Sequence, residues 1–246
     1  MGTVSAVSRP EQVTRPIDRY LPSADQYEQL YAVFTAAANG CFARKGAKGT
    51  ITVGEPERLR SSLRDEIANR VVRSELWGFF DVRNALAYGY KGPPDVPGGM
   101  YFQPPEGGAP GTGESCFKEG ESALGGHFWG EFARNGLLPE RGPKVPAQDS
   151  RYVAAVAAWR ACIKERGFTY DDPRAAVGDP RWRGGGQSDS TEIATAVADV
   201  ECKVSTNLVG IGAAVQDAYD REYIAKHRAA LDAFAADWDG YLRGAK

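Results

Sequence analysis

Apolar residues recur every three or four positions along four long stretches of this chain. This spacing places side chains on one face of an α-helix, where they can pack against a core. The pattern predicts long helices at about 23–45, 57–76, 150–166 and 190–240. Because no proline occurs between Ser190 and Arg243, the stretch at 190–240 is predicted as one helix. Gly210 and Gly212 would either kink this helix or let another backbone approach it closely.

Polar residues and glycines mark several helix ends. Asp189 and Glu192 have the spacing of a capping box, in which two side chains bond reciprocally to the backbone at a helix N-terminus. Asp81 is predicted to cap a shorter helix at 82–88, and Gly89 to end it.

The segment from Tyr90 to Pro110 interrupts the helical pattern with prolines and glycines. Proline removes a backbone donor and glycine raises the entropy cost of order, so a regular element is excluded here. We predict a mostly α protein: a long-helix bundle with a large irregular Gly/Pro-rich loop region and little strand. Its predicted domains are an extended N-terminal arm at 1–22 and a single helical domain at 23–246.

The composition is that of a folded protein, because 42% of the 246 residues are hydrophobic. The net charge is -2, from 30 basic and 32 acidic residues that are interspersed along the chain. No basic patch for nucleic acid is therefore expected. No apolar run approaches the roughly 18 residues that a membrane-spanning helix needs, so no transmembrane segment is expected.

Four cysteines stand in the chain, and none belongs to a C-x-x-C pair. An even number fits two disulfides that staple the helices together. Pairing Cys41 with Cys116 and Cys162 with Cys202 crosses the fewest loops, but four cysteines allow three connectivities. The alternative is four buried free thiols. Only two histidines are present and no ligand pair has a short spacing, so we predict no bound metal and no cofactor.

Two cysteine segments resemble those of a known group of proteins. The runs AWRACIKERGFTYDDPRAA around Cys162 and ADVECK around Cys202 are similar to the W-x-x-C-x-x-x-x-G and A-D-V-x-C-K segments of an uncharacterised family of actinobacterial secreted proteins and lipoproteins. The resemblance covers about residues 23–231. It implies export and disulfides, and it implies no catalytic residues.

Aromatic side chains are concentrated in the irregular segments, where packing demand is lower. Aromatic residues on loops of a rigid scaffold commonly form binding surfaces. We predict a ligand-binding surface that includes Tyr90, Tyr101, Phe102 and Trp129. The alternative is that these rings cover the helices where regular structure is missing.

A catalytic pair is the competing hypothesis. His127 stands four residues before Glu131, so the imidazole and the carboxylate would share one helical face as the acid-base pair of a hydrolase or tailoring enzyme. A surface or half-buried histidine without a catalytic role is the simpler interpretation, since no nucleophile is indicated. His227 is predicted to be solvated.

Two further polar segments have structural interpretations. Asp171 and Asp172 either hold a calcium ion or cap a turn ahead of Pro173, and the turn is favoured. The glycines of Gly184–Ser188 precede a helix N-terminus, where they would bind an anion, or they act as a flexible hinge. The hinge is the favoured interpretation.

These features predict an extracytoplasmic protein, secreted or associated with the cell envelope, that binds a partner without catalytic activity. The expected partner is a peptide, a glycan or a protein of the envelope, and a homodimer through the C-terminal long helix is a further hypothesis. No export signal follows Met1, so the chain is either cytosolic or begins where a removed signal ended.

Overall fold

The structure is a computed structural model that describes residues 4–21, 24–53, 76–91, 100–103, 105–125 and 138–244. It is mostly α-helical, as predicted. The helices are α1 (Ala24–Arg44), α2 (Val82–Tyr88), α3 (Thr112–Ala123), α4 (Ser150–Glu165), α5 (Pro173–Val177), α6 (Ser190–Ser205) and α7 (Leu208–Gly244). Strands β1 (Thr50–Val53) and β2 (Met100–Gln103) form an antiparallel pair. Because β2 lies within the Tyr90–Pro110 segment, the prediction that no regular element occurs there is wrong: the hydrogen bonds of β2 come from a distant strand, which the local prolines and glycines do not reveal. Short 3-10 helices lie at Pro10–Gln12, Pro16–Tyr20, Pro139–Arg141 and Pro180–Arg183.

Residue contacts divide the chain into two compact units. The first unit comprises Met1–Asp18, Ala68–Asp95 and Pro143–Tyr223, and the second comprises Arg19–Ile67, Val96–Gly142 and Ile224–Lys246. Both units are assembled from separate stretches of sequence. The predicted boundary between residues 22 and 23 does not coincide with the first division between the units, which falls between Asp18 and Arg19. The single helical domain at 23–246 stays a prediction.

Aromatic residues fill the core of the first unit. Trp77 and Trp159 are at most 1% exposed, and they lie in one hydrophobic cluster with residues of α4 and α6. Helix α2 packs against α6, and Ala85 of α2 is fully buried in the same hydrophobic cluster. The burial of large rings supplies much of the driving force for folding of this unit.

The second unit is built on the close packing of α1 against α3. A Cβ atom added to Gly120 would lie 2.7 Å from the ring of Phe34, so only glycine permits this approach of the two helices. The side chain of Asn39 also holds β1: its Nδ2 donates to the carbonyl of Ile51 at 2.7 Å, and its Oδ1 accepts from the Ile51 amide at 2.7 Å. Asn39 thereby joins helix and strand.

Helix caps form largely where the sequence places them. Asp81 accepts from the amides of Arg83 and Asn84 at the start of α2, and Gly89 ends that helix with φ 60°. Asp189 accepts from the Glu192 amide at 2.8 Å at the start of α6. The capping box is only half formed, because the carboxylate of Glu192 accepts hydrogen bonds from Ser188 and Tyr90 instead.

The prediction of one helix at 190–240 is wrong, because Thr206 and Asn207 separate α6 from α7. Asn207 has φ 51°, a left-handed conformation that asparagine tolerates better than most residues and that ends a helix. Gly210 and Gly212 do not cause the break; they allow close approach. A Cβ at Gly210 would lie 2.7 Å from the Ser5 carbonyl oxygen. The predicted helix at 57–76 falls almost entirely outside the described residues.

Candidate functional site

Asp199 lies at the centre of a buried polar network in the first unit. Its Oδ2 accepts from the Lys203 ammonium at 2.6 Å and from the Tyr90 hydroxyl at 3.1 Å. Its Oδ1 accepts from Trp159 Nε1 at 3.0 Å. Lys203 Nζ also donates to the Phe79 carbonyl at 2.6 Å. Because Asp199 and Lys203 are four residues apart on α6, the helix itself brings them together.

Burial dominates the electrostatics of this network. The side chains of Asp199 and Lys203 are both 0% exposed. Burial raises the pKa of the Asp199 carboxyl and lowers the pKa of the Lys203 ammonium, while the attraction between the two groups opposes both shifts. This pair was not predicted from the sequence. Its only sequence signal is an acid and a lysine four residues apart within an apolar helical seam.

The network is suited to holding helices together. It joins α6 to α4 through Trp159, and to the segments on either side of α2 through Phe79 and Tyr90. Neither charged group reaches the surface, so a substrate has no access to them. A buried network of this kind specifies which elements pack together.

Tyr90 lies in the core, whereas the sequence analysis assigned it to a ligand-binding surface. Its side chain is 5% exposed, and its ring contacts Phe79 edge-on with centroids 5.8 Å apart. Burial, followed by the nearby carboxylate of Asp199, raises the pKa of its hydroxyl far above the ordinary value. The ring therefore fixes the start of the Gly/Pro-rich segment to the scaffold and offers no open surface for a ligand.

A second buried carboxylate holds the glycine-rich segment before α6. Glu192 is 1% exposed and accepts from Ser188 Oγ at 2.8 Å and from the Tyr90 amide at 3.1 Å. Lys91 Nζ lies 3.6 Å from Glu192 Oε2 and donates to the Gly186 carbonyl at 3.2 Å. Two carboxylates, Asp189 and Glu192, thus already occupy the N-terminus of α6. This arrangement argues against the anion site considered for Gly184–Ser188.

The remaining residues of the predicted site are only partly within the described chain. Tyr101 and Phe102 form β2, where Phe102 is paired with Ile51 and Tyr101 with Thr52. His127, Trp129 and Glu131 lie outside the described residues, and the acid-base pair stays a prediction. Tyr90 belongs to the first unit and β2 to the second, and their membership of one binding surface stays a prediction.

Asp171 and Asp172, which follow α4, lie in a turn, as the favoured interpretation of the sequence predicted. Asp172 accepts from the amides of Arg174 and Ala175 and so caps α5, which begins at Pro173. The Asp171 carbonyl accepts from Arg160 at 2.6 Å.

A carboxylate that the sequence analysis missed holds the connection that follows α5. Asp179 Oδ2 accepts from Arg181 Nη2 at 2.7 Å and from the Tyr170 hydroxyl at 3.0 Å. The hydrogen bond from the Arg181 side chain keeps the pKa of Asp179 well below its ordinary value. The sequence Asp179-Pro180-Arg181 is typical of a capped turn and could have indicated this role of Asp179.

His227 is largely covered, which corrects the prediction that it is solvated. Its side chain is 11% exposed, and Nε2 lies 3.6 Å from Oε2 of Glu140. The residue has φ -113° and ψ 19°, which are not helical values, so α7 is kinked here. The prediction assumed an unkinked helix, in which His227 would face solvent.

All four cysteines form disulfides in the favoured pairing. Cys41 is bonded to Cys116, which joins α1 to α3 in the second unit, and Cys162 is bonded to Cys202, which joins α4 to α6 in the first. No cysteine is free. Each unit thus contains its own disulfide.

Helix α2 exposes aliphatic side chains immediately before the Gly/Pro-rich segment. Val82 is 43% exposed and Leu86 is 60% exposed, and Tyr88 near the end of the helix is 37% exposed. Val82 and Leu86 are four residues apart and so share one side of the helix. We call these two residues the α2 patch.

Two kinds of feature are absent from the part of the chain that the structure describes. No group of three or more histidine, cysteine, aspartate or glutamate side chains there is placed to hold a metal ion. No helix among those residues is both long enough and apolar enough to span a bilayer.

Comparison with known proteins adds no relative. No family model, no curated protein and no solved structure matches the chain. The resemblance to actinobacterial secreted proteins and lipoproteins, which rests on the two cysteine segments, therefore stays a prediction.

Proposed function

We propose that this protein works outside the cytoplasm, secreted or associated with the cell envelope, as a binding or accessory protein without catalytic activity. The observation that supports the compartment most directly is that all four cysteines are paired, one disulfide in each compact unit. Disulfides of this structural kind persist in oxidising compartments and are rare in a reducing cytosol.

The absence of an assembled catalytic site among the described residues supports binding over catalysis. Asp199 and Lys203, whose pKa values are shifted by burial, are sealed in the core and hold helices together. Perturbed groups in enzymes lie in clefts that a substrate can enter. Here they make a rigid scaffold for the exposed segments around them.

The α2 patch is one candidate contact region, and the predicted aromatic surface that includes Tyr101, Phe102 and Trp129 is a separate one. Tyr90 follows α2 and is bonded to Asp199 and Glu192, so the C-terminal end of the helix that carries the α2 patch is held in place. Exposed aliphatic side chains favour an apolar protein surface as the partner, because they offer no hydrogen bonds to a glycan.

The compartment is tested on the protein from its own cells. Culture medium, envelope and cytosol are separated, and the protein in each fraction is alkylated without reduction and mapped by mass spectrometry. We expect it in the medium or envelope with both disulfides intact. Recovery from the cytosol with alkylated cysteines would refute the proposal.

Binding is tested by comparing the wild-type protein with Leu86→Ser, Tyr101→Ala and Trp129→Ala in capture from a solubilised envelope fraction. The captured protein is then purified and titrated against each variant. The matched control is Val153→Ser, since Val153 is 48% exposed on α4. We expect at least tenfold weaker binding for the contact variants and none of that loss for the control. Equal binding by all variants would exclude both candidate regions.

The enzymatic alternative has its own test. If His127 and Glu131 act as base and orienting group, His127→Ala abolishes a hydrolytic activity and leaves the melting temperature unchanged. We expect no such activity in the wild-type protein on envelope-derived esters, amides or glycosides.

A further inference from the structure

The two disulfides differ in their access to solvent. In the second unit Cys41 is 1% exposed and Cys116 is fully buried, so both sulfurs of that disulfide are covered. In the first unit Cys202 is fully buried, but its partner Cys162 is only half-buried. Cys162 is therefore the cysteine of the four that a molecule in solution reaches most easily.

Small side chains adjoin Cys162 at the surface of the first unit. Ala158 and Ala161 of α4 are both exposed, and Ala158 lies four residues before Cys162 on the same side of the helix. On α6, Ser205 is exposed, and its Oγ lies 3.7 Å from Cys162 Sγ. Methyl and hydroxymethyl groups screen a neighbouring sulfur less than long side chains do, so a thiolate can approach Cys162.

This access decides how the disulfide can react. A disulfide opens when a thiolate attacks one of its sulfurs and forms a mixed disulfide, and exposed disulfides are the labile ones. At Cys162 the attacking thiolate comes from solvent, and Cys202 is the leaving group. An attack on Cys202 itself would have to pass through the hydrophobic cluster to which this residue belongs.

Non-covalent contacts join α4 to α6 on both sides of the disulfide. Trp159 Nε1 donates to Asp199 Oδ1 at 3.0 Å, and each of these two residues stands three positions before a bonded cysteine. Arg166 and Glu201 form an ion pair across the same two segments. Because these contacts do not involve sulfur, they keep the two helices together when the disulfide opens, and the two thiols stay close enough to bond again.

We propose that Cys162–Cys202 is a thiol-exchange site, which a protein dithiol opens at Cys162 while the first unit stays folded. A thiolate of the dithiol bonds to Cys162 Sγ, the bond to Cys202 breaks, and Cys202 leaves with the electron pair and takes up a proton. The second thiol of the dithiol then attacks the partner's sulfur in the mixed disulfide and releases Cys162 as a thiol. Two electrons and two protons thus pass to this protein, and the dithiol becomes a disulfide. The proposal does not depend on the proposed binding function.

The first test measures the opening of each disulfide in the folded full chain. The protein is incubated with dithiothreitol or with reduced thioredoxin, quenched with acid at intervals, alkylated in denaturant and mapped by mass spectrometry. We expect Cys162 and Cys202 to become alkylated at least tenfold faster than Cys41 and Cys116 with both reagents. Circular dichroism and tryptophan fluorescence should stay those of the folded protein after the faster step.

Three results of this test would overturn the proposal. Equal rates for the two disulfides, or a faster reaction of Cys41–Cys116, would show that exposure of Cys162 does not decide the reaction. Loss of the folded signals together with opening would show that unfolding exposes the sulfurs. Opening by dithiothreitol but not by thioredoxin would exclude a protein dithiol as the partner.

A second test identifies the attacked sulfur. Cys202→Ser leaves Cys162 as a thiol, and Cys162→Ser leaves Cys202 as a thiol. Each folded variant is incubated with oxidised glutathione, and we expect the mixed disulfide to form at least tenfold faster on Cys162. Cys41→Ser and Cys116→Ser are the matched controls, whose remaining thiols should react as slowly as Cys202. Equal rates for Cys162 and Cys202 would refute attack at Cys162. If a variant does not fold, the reduction rates of the wild type decide.

Discussion

The Lys203 ammonium lies 2.6 Å from Oδ2 of Asp199, and neither side chain is exposed to solvent. The two charges are compensated by each other and by hydrogen bonds with Tyr90, Trp159 and the Phe79 carbonyl. Removing one member of a buried ion pair is strongly destabilising, because it leaves a buried charge without a partner. Replacing both members by neutral residues costs much less.

Replacing Lys203 by methionine should lower the free energy of unfolding by about 3–5 kcal/mol, because it leaves the Asp199 carboxylate buried without its cation. The double variant Asp199→Asn/Lys203→Met should recover a large part of that loss. Urea denaturation followed by circular dichroism measures both. The control is Lys118→Met, which breaks an exposed Glu114–Lys118 pair with the same four-residue spacing and should change stability little. A Lys203→Met variant as stable as the wild type would show that the pair is dispensable.

Each disulfide should contribute about 4 kcal/mol, since each closes a loop of tens of residues in the unfolded chain. The bonded cysteines are 75 residues apart for Cys41–Cys116 and 40 residues apart for Cys162–Cys202. The two double serine variants are compared by urea denaturation under non-reducing conditions. A loss confined to one variant would contradict the expectation of two structural disulfides.

Glycine should be required at position 210 and dispensable at position 240 of the same helix. Gly210→Ala places a Cβ against Asn207 and Ser5, so it should destabilise the protein and release the N-terminal arm, which limited proteolysis detects. Nothing lies within 4 Å of a Cβ at Gly240, so Gly240→Ala should stabilise α7 by about 0.5–1 kcal/mol. Two variants with the same melting temperature would show that the close contact at Gly210 is unimportant.

Acid should remove the contribution of Asp179 to stability. Because the folded protein lowers the pKa of this carboxyl, its stabilisation is present above the unfolded value of about 3.9 and is lost as the pH falls through the lower folded value. The difference in melting temperature between the wild type and Asp179→Asn should therefore be constant near neutral pH and shrink below about pH 4. A difference that does not change between pH 7 and pH 2 would rule out this linkage. Arg181→Gln removes the main cause of the lowered pKa and should flatten the same profile.

The sequence predicted the elements whose causes are local. The apolar period gives α1 and α4, and Asp81 and Gly89 delimit α2. The disulfide pairing was favoured on chain order and proved correct. These features depend on neighbours within a few residues, or on which pairing crosses fewest loops.

Prediction failed where distant residues decide the outcome. Asn207 ends α6 and binds a segment 200 residues earlier in the chain, and no local pattern signals that contact. Tyr90 was assigned to a surface because it stands beside prolines and glycines, but Asp199 draws its hydroxyl into the core. His227 was placed by an ideal helical wheel, and the kink in α7 alters its exposure.

The sequence by itself thus determined the helical class of this protein and the ends of several helices, because periodicity and capping act over a few residues of chain. It also favoured the correct cysteine pairs, because that pairing crosses the fewest loops. Only the tertiary structure decided which polar residues are buried together, as in Asp199 with Lys203 and Arg15 with Asp220. A charged side chain is buried at low cost only when another group of the fold neutralises its charge. Such partners can be distant in the sequence, so the pairing is visible only in the tertiary structure.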